Sequence, residues 1–267
     1  MNRLLRLTLL LDNVTFEDNV LRNLGYIMAF IAGAINAGGF FAVNRYTSHI
    51  SGVISSMADG LILADIKLVL IAFSMLFCFI AGAIHATWLI LWARRRRFRG
   101  GYGLSMWVEA TYLLIFGLLG ASLSGYKHIF TPPTLMLLCF IMGMHNTVVT
   151  KLSGGLLRST HMTGIATDIG IELAKLMPVK KFNSDKIHIT EVNRRRLTLF
   201  LGILFSFFIG GIIGALGFRH LGYQFTLPLS FLLFIFGCRP IYYDIKLRVR
   251  FWLKKRKKNK NSQVSTS

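Results

Sequence analysis

The sequence predicts an all-α integral membrane protein with about six transmembrane helices, two short re-entrant or interfacial helices, and inverted three-span repeats. Three observations point there: apolar runs long enough to cross a bilayer, basic clusters lying between those runs, and an internal repeat of polar motifs. Hydrophobic residues make up 54% of the 267, phenylalanine alone numbers 22, and mean hydropathy is +0.55. Soluble domains of this length carry more charge and break their apolar runs more often. A hydrocarbon core about 30 Å thick requires roughly 20 helical residues. Residues 68–92 form such a run, with His85 its sole potentially charged side chain. Lipid offers the backbone no hydrogen-bond partners, so a run of this kind is helical.

Long spans are expected at about 24–43, 67–93, 102–124, 133–150, 197–218 and 224–242. Shorter amphipathic segments at about 48–64 and 160–177 hold polar residues that a lipid-exposed span would not tolerate. Residues 1–22 contain a brief apolar stretch interrupted by Arg6 and followed by acids, with no small-residue cleavage site; a cytoplasmic surface helix is expected there. A single membrane domain then covers 23–245, with repeat halves at about 23–125 and 133–245, and a basic cytoplasmic tail covers 246–267.

The net charge of +20 is concentrated in three places: Arg94–Arg99, the 178–196 loop with its flanks, and nine Lys and Arg between 246 and 260. Basic clusters beside apolar spans stay on the cytoplasmic side, where anionic headgroups attract them. Six crossings with an internal N-terminus keep all three inside, whereas eight force at least one out, so six is expected. This placement argues against nucleic acid as a partner and for the lipid bilayer. Cys78, Cys139 and Cys238 all sit in apolar runs with no CxxC spacing, and are expected to act as small hydrophobes.

GAINAGGFFAVNRYTSHISG at 33–52 pairs with GMHNTVVTKLSGGLLRSTHMTG at 143–164. Asn36 and Asn146 stand 110 residues apart, and His49 and His161 stand 112 apart, so two residues are inserted between them. Further on, residues 79–82 (FIAG) resemble 208–211 (FIGG), an offset of 129. Each half reads as span, short polar helix, span, span. Three crossings is an odd number, so the second half enters the membrane in the opposite sense, an arrangement common among secondary transporters.

The candidate substrate or ion cavity residues are Asn36, His49, Ser51, Asp59, Asn146, His161, Thr163, Asp168 and Glu172. On a 3.6-residue period His161, Asp168, Glu172 and Lys175 share one face, and ionisable groups at membrane depth usually face a cavity or a partner. An interfacial helix meeting headgroups would show the same face. Thr47-Ser48 and Ser159-Thr160 precede the two short helices, where hydroxyls cap free N–H groups and helix N-termini favour anions. The two asparagines need partners, expected across the repeat. Glu109 and His145 are further intramembrane polar groups. No metal site is expected, because His49, His85, His145 and His161 show no ligand spacing. Nor does the chain carry a nucleophile–base set, a Walker loop or a dinucleotide fingerprint, so no cofactor and no enzymatic activity are expected.

At residues 32–55 (AGAINAGGFFAVNRYTSHISGVIS) and 142–174 (MGMHNTVVTKLSGGLLRSTHMTGIATDIGIELA) the chain resembles the YoaK-like family of bacterial inner-membrane proteins, over roughly 22–245. Many members have Asp where Asn36 stands. The resemblance implies a transporter-like, multi-pass protein of the cell inner membrane with both termini cytoplasmic. The expected function is thus a small-molecule transporter or permease taking a small-molecule or ion substrate. A non-transporting scaffold or sensor, its basic tail binding lipid or a partner, is the alternative reading.

Overall fold

The computed structural model describes residues 19–43, 46–98, 100–122, 127–155, 159–176, 193–238, 240–242 and 244–246. The expected N-terminal surface helix, most of the long basic loop and most of the basic tail lie outside the described residues. The described chain forms α1 (Asn19–Val43), α2 (Ile50–Ile62), α3 (Ile66–Arg95), α4 (Gly101–Ser122), α5 (Lys127–Leu152), α6 (Met162–Ala174) and α7 (Arg194–Leu221). A 3-10 turn at Gly222–Phe225 follows, then a last helical stretch, α8, over residues 226–238 with further helical residues to 246. There is no strand among the described residues. All six expected spans and both short helices are present as helices, although α5 starts at Lys127, earlier than the expected 133.

Among the described residues five stretches are long and apolar enough to cross a membrane: Arg22–Phe40, Ile66–Arg95, Gly101–Gly120, Pro133–Leu152 and Arg194–Lys246. The fifth is interrupted by the 3-10 turn, where Gly222 takes a φ of +59°. At 13 residues each, α2 and α6 are about 20 Å long, too short to cross. The chain is built as a multi-pass membrane protein. Its outward faces say the same: Phe77, Ile80, Ile84 and Trp88 of α3 are exposed, as are Phe205, Phe208, Ile212 and Leu216 of α7. Lipid tails are as apolar as these side chains, so exposing them carries no cost.

What joins helices in lipid is close packing of small residues. The largest contact is α1 against α7, followed by α3 against α5, so each pair takes one helix from either half. A β-carbon on Gly33 would strike the Phe207 carbonyl, and one on Gly210 would strike that of Phe30. In the other pair, Gly143 meets the Phe79 carbonyl and Gly82 that of Phe140. Contact positions rise together along both helices, from Tyr26–Gly202 to Gly38–Phe218, so α1 and α7 run parallel. By contrast α8 runs antiparallel to α4, from Thr226 at Gly117 to Gly237 at Gly103. Trp107 stacks on Phe234 at 4.7 Å and its Nε1 donates to the Phe234 carbonyl at 3.0 Å.

These contacts correct the repeat register. Gly82 and Gly210 play the same part, as do Phe79 and Phe207, giving an offset of 128, not 129. The caps agree: Asp65 accepts from the Leu68 amide at 3.0 Å to start α3, and Asn193 accepts from Arg196 at 3.1 Å to start α7. The FIAG–FIGG match was a one-residue slip, because in a Gly- and Phe-rich helix letters recur while contacts do not.

Candidate functional site

A cavity of about 850 Å³ opens between the two halves. Its lining is built from equivalent residues: Asn36 and Asn146, Ser48 and Thr160, His49 and His161, Ser51 and Thr163, Phe79 and Phe207. Among the described residues the lining contains no carboxylate, and Lys151 is its one ammonium group.

The two asparagines set up the cavity walls. Asn36 Oδ1 accepts from Ser48 twice, from the hydroxyl at 2.9 Å and the amide at 3.3 Å. Asn146 Oδ1 accepts from Thr160 in the same way, at 2.9 and 3.3 Å, and from the Ser159 hydroxyl at 3.3 Å. Each amide oxygen therefore pins the turn before the short helix of its own half. This corrects the expectation that the asparagines find partners across the repeat. The turn is nearer in sequence and carries two free donors, so local bonding wins.

The hydroxyls are thereby diverted from capping. The N-cap residues are His49 and His161, with near-identical backbone angles (φ −87°, ψ 64° and φ −84°, ψ 60°), and neither side chain caps its helix. Each imidazole lies over the glycine three residues on, Gly52 or Gly164, where a β-carbon would meet its ring. The first turns of α2 and α6 thus border the cavity without side-chain caps. Helix N-termini carry partial positive charge and present amide donors, so two of them beside one lysine suit a polar or anionic solute.

Of the expected cavity residues, Asn36, His49, Ser51, Asn146, His161 and Thr163 come together, whereas Asp59, Asp168 and Glu172 lie outside the lining. Glu172 is buried and engaged elsewhere. Its Oε1 accepts from Lys175 Nζ at 2.8 Å and its Oε2 from the Asn193 amide at 3.0 Å, tying α6 to the start of α7. The Lys175 hydrogen bond, then that from Asn193, holds its carboxyl below the ordinary range. Glu172 and Lys175 sit three residues apart and satisfy each other, so that end of the shared face does not reach the cavity, whereas His161 does. His85 is enclosed by aromatic rings, with centroids 5.6 Å from Phe140 and 5.9 Å from Tyr112. Among the described residues no group of three or more His, Cys, Asp or Glu could hold a metal ion.

Sequence reasoning missed Phe79, Phe207, Thr147, Thr150 and Lys151 as lining residues. The corrected offset makes the two phenylalanines counterparts of each other. Sequence reasoning also left Glu109 and His145 unconnected. The structure pairs them at 2.6 Å, both fully buried.

The fold and site define a class: a multi-pass α-helical membrane protein with a cavity open between two halves of like construction. The chain belongs to the DUF1275 family, proteins of unknown function, whose pattern matches residues 24–238. No curated protein and no solved structure matches it.

Proposed function

We propose that this protein is a secondary transporter or permease for a small polar solute, with anionic solutes favoured, and that it is neither an enzyme nor cofactor-dependent. One observation carries the reading: equivalent residues of both halves line a single cavity. Substrate sites of duplicated transporters lie at such an interface, beside discontinuous helices. The 3-10 turn supports six crossings, because 53 residues of continuous helix would extend about 80 Å, more than twice the hydrocarbon core. The parallel pairing of α1 with α7, across the halves, supports inverted halves. The basic clusters support cytoplasmic termini, and the resemblance to YoaK-like proteins supports the bacterial inner membrane.

Purified protein in liposomes, offered a panel of organic acids, inorganic oxyanions, amino acids and sugars, should take up at least one solute saturably. His49→Ala combined with His161→Ala should abolish that uptake while the protein stays folded. Uptake untouched by the double replacement overturns the site, and no uptake across the whole panel counts against transport.

A further inference from the structure

Glu109 of α4 and His145 of α5 are wholly buried, in contact with α1 through the Met28 carbonyl. His145 Nδ1 lies 2.6 Å from Glu109 Oε1, and Nε2 lies 2.9 Å from the Met28 oxygen. A backbone carbonyl only accepts, so Nε2 carries a hydrogen. The short Nδ1–Oε1 contact then holds a single proton, on the imidazole as an ion pair or on the carboxyl as a neutral pair. Without it two lone pairs would face each other at that distance. The imidazole could instead turn its remaining hydrogen to Glu109, leaving Nε2 facing the Met28 carbonyl. Loss of one proton therefore breaks either the α4–α5 bond or the α5–α1 bond.

Two further observations argue against a purely structural pair. Glu109 Oε2 is buried with no hydrogen-bond partner among the described residues, an expensive state for a carboxylate that only stabilises the fold. The repeat supplies an internal control as well. By the offset of 110 the counterpart of His145 is Ile35, an apolar side chain 1% exposed, so the duplicated packing does not need an imidazole there. Yet α1 and α5, which this proton joins, are the helices that carry Asn36 and Asn146 and so hold both cavity walls.

We propose that Glu109 and His145 form a one-proton binding site whose loading biases the packing of α1, α4 and α5, and thereby couples proton movement to access at the cavity. The proposal rests on the transporter reading. Other titratable groups on the elements packed there are Tyr102 and Tyr112 on α4, His85 of α3 beside Tyr112, Lys127, His128, Cys139 and Lys151 on α5, and Arg22 and Tyr26 on α1. Residues 27–43 of α1 and 226–237 of α8 carry no ionisable side chain.

The test uses the full chain, with ¹⁵N-labelled histidine, in lipid bilayers. Solid-state NMR across roughly pH 5 to 9, the range in which imidazoles titrate, should show one ring-nitrogen signal that shifts and is absent from His145→Gln. Its midpoint should move in Glu109→Gln. A His145 signal that does not change across the range overturns the site, whether or not any solute crosses. Because single replacements can strand a buried charge, the second arm is the double variant Glu109→Leu with His145→Ile, which makes the site apolar and places at 145 the residue found at Ile35. It should fold as well as the parent. Maleimide labelling of Thr163→Cys, relative to exposed Leu63→Cys, should vary several-fold with pH in the otherwise unchanged chain and be flat in the double variant. Variation that survives in the double variant overturns the coupling.

Discussion

Gly33 lies against the backbone carbonyl of Phe207, so close that a β-carbon would overlap the oxygen, and Gly143 meets Phe79 in the same way. Two carbonyls on two helices, each answered by a glycine from the opposite half, set how near α1 and α7, and α3 and α5, can come. Neither neighbour is a flexible side chain that could swing aside.

Gly33→Ala and Gly143→Ala should therefore each destabilise the protein by about 1–3 kcal/mol, the usual cost of overpacking. Gly170→Ala is the control, since nothing lies within 4 Å of a β-carbon there. Replacing a helical glycine by alanine in open space should be neutral or stabilising. Thermal unfolding in detergent, followed by intrinsic fluorescence, separates the three variants. A Gly33→Ala melting temperature equal to that of Gly170→Ala would contradict the packing.

Asn36→Ala and Asn146→Ala remove the acceptor that pins each short helix. The loss should amount to about 1–3 kcal/mol, because the freed donors lose their partner. The effect should also be local. Hydrogen exchange should quicken over residues 47–53 in the first variant and over 159–165 in the second, with the α3–α5 contact unchanged. Exchange that quickens in the opposite half would mean the asparagines bond across the repeat after all.

The sign of the Glu172 effect follows from its environment. Its folded-state carboxyl is held below the ordinary value of 4.5, first by the Lys175 hydrogen bond and then by the Asn193 amide. A depressed acid contributes stability above its unfolded pKa and loses it as pH falls through the folded value. Glu172→Gln should thus be less stable than the parent at neutral pH, and the gap should close in the acid range below 4.5. A gap constant with pH would show that packing, not charge, is responsible.

Orientation can be read from two exposed positions just past the short helices, Leu63 and Leu176. The loop positions before the short helices, Arg45 and Arg158, lie outside the described residues and serve less well. In a background lacking Cys78, Cys139 and Cys238, Leu63→Cys should react with an impermeant maleimide from outside intact cells. Leu176→Cys should react only after permeabilisation. Reaction of both from one side would make the halves parallel and remove the main support for inverted halves.

The class of protein, its long apolar helices, the two short helices and the correspondence of Asn36 with Asn146 and of His49 with His161 were all legible in the sequence. Each rests on a local property: apolar length, periodicity, or a motif that recurs. Tertiary structure alone decided which polar groups meet. Asn36 turned to the nearby Ser48 because that donor is its neighbour on a short turn, and Glu172 turned to Lys175 for the same reason. Phe79 and Phe207 entered the cavity because glycines draw their backbones together across the halves. Glu109 and His145 lie 36 residues apart on different helices, and no spacing rule links them. Helix-to-helix register is set by close contact between small residues, a property of two surfaces at once, and one linear chain carries no local mark of it.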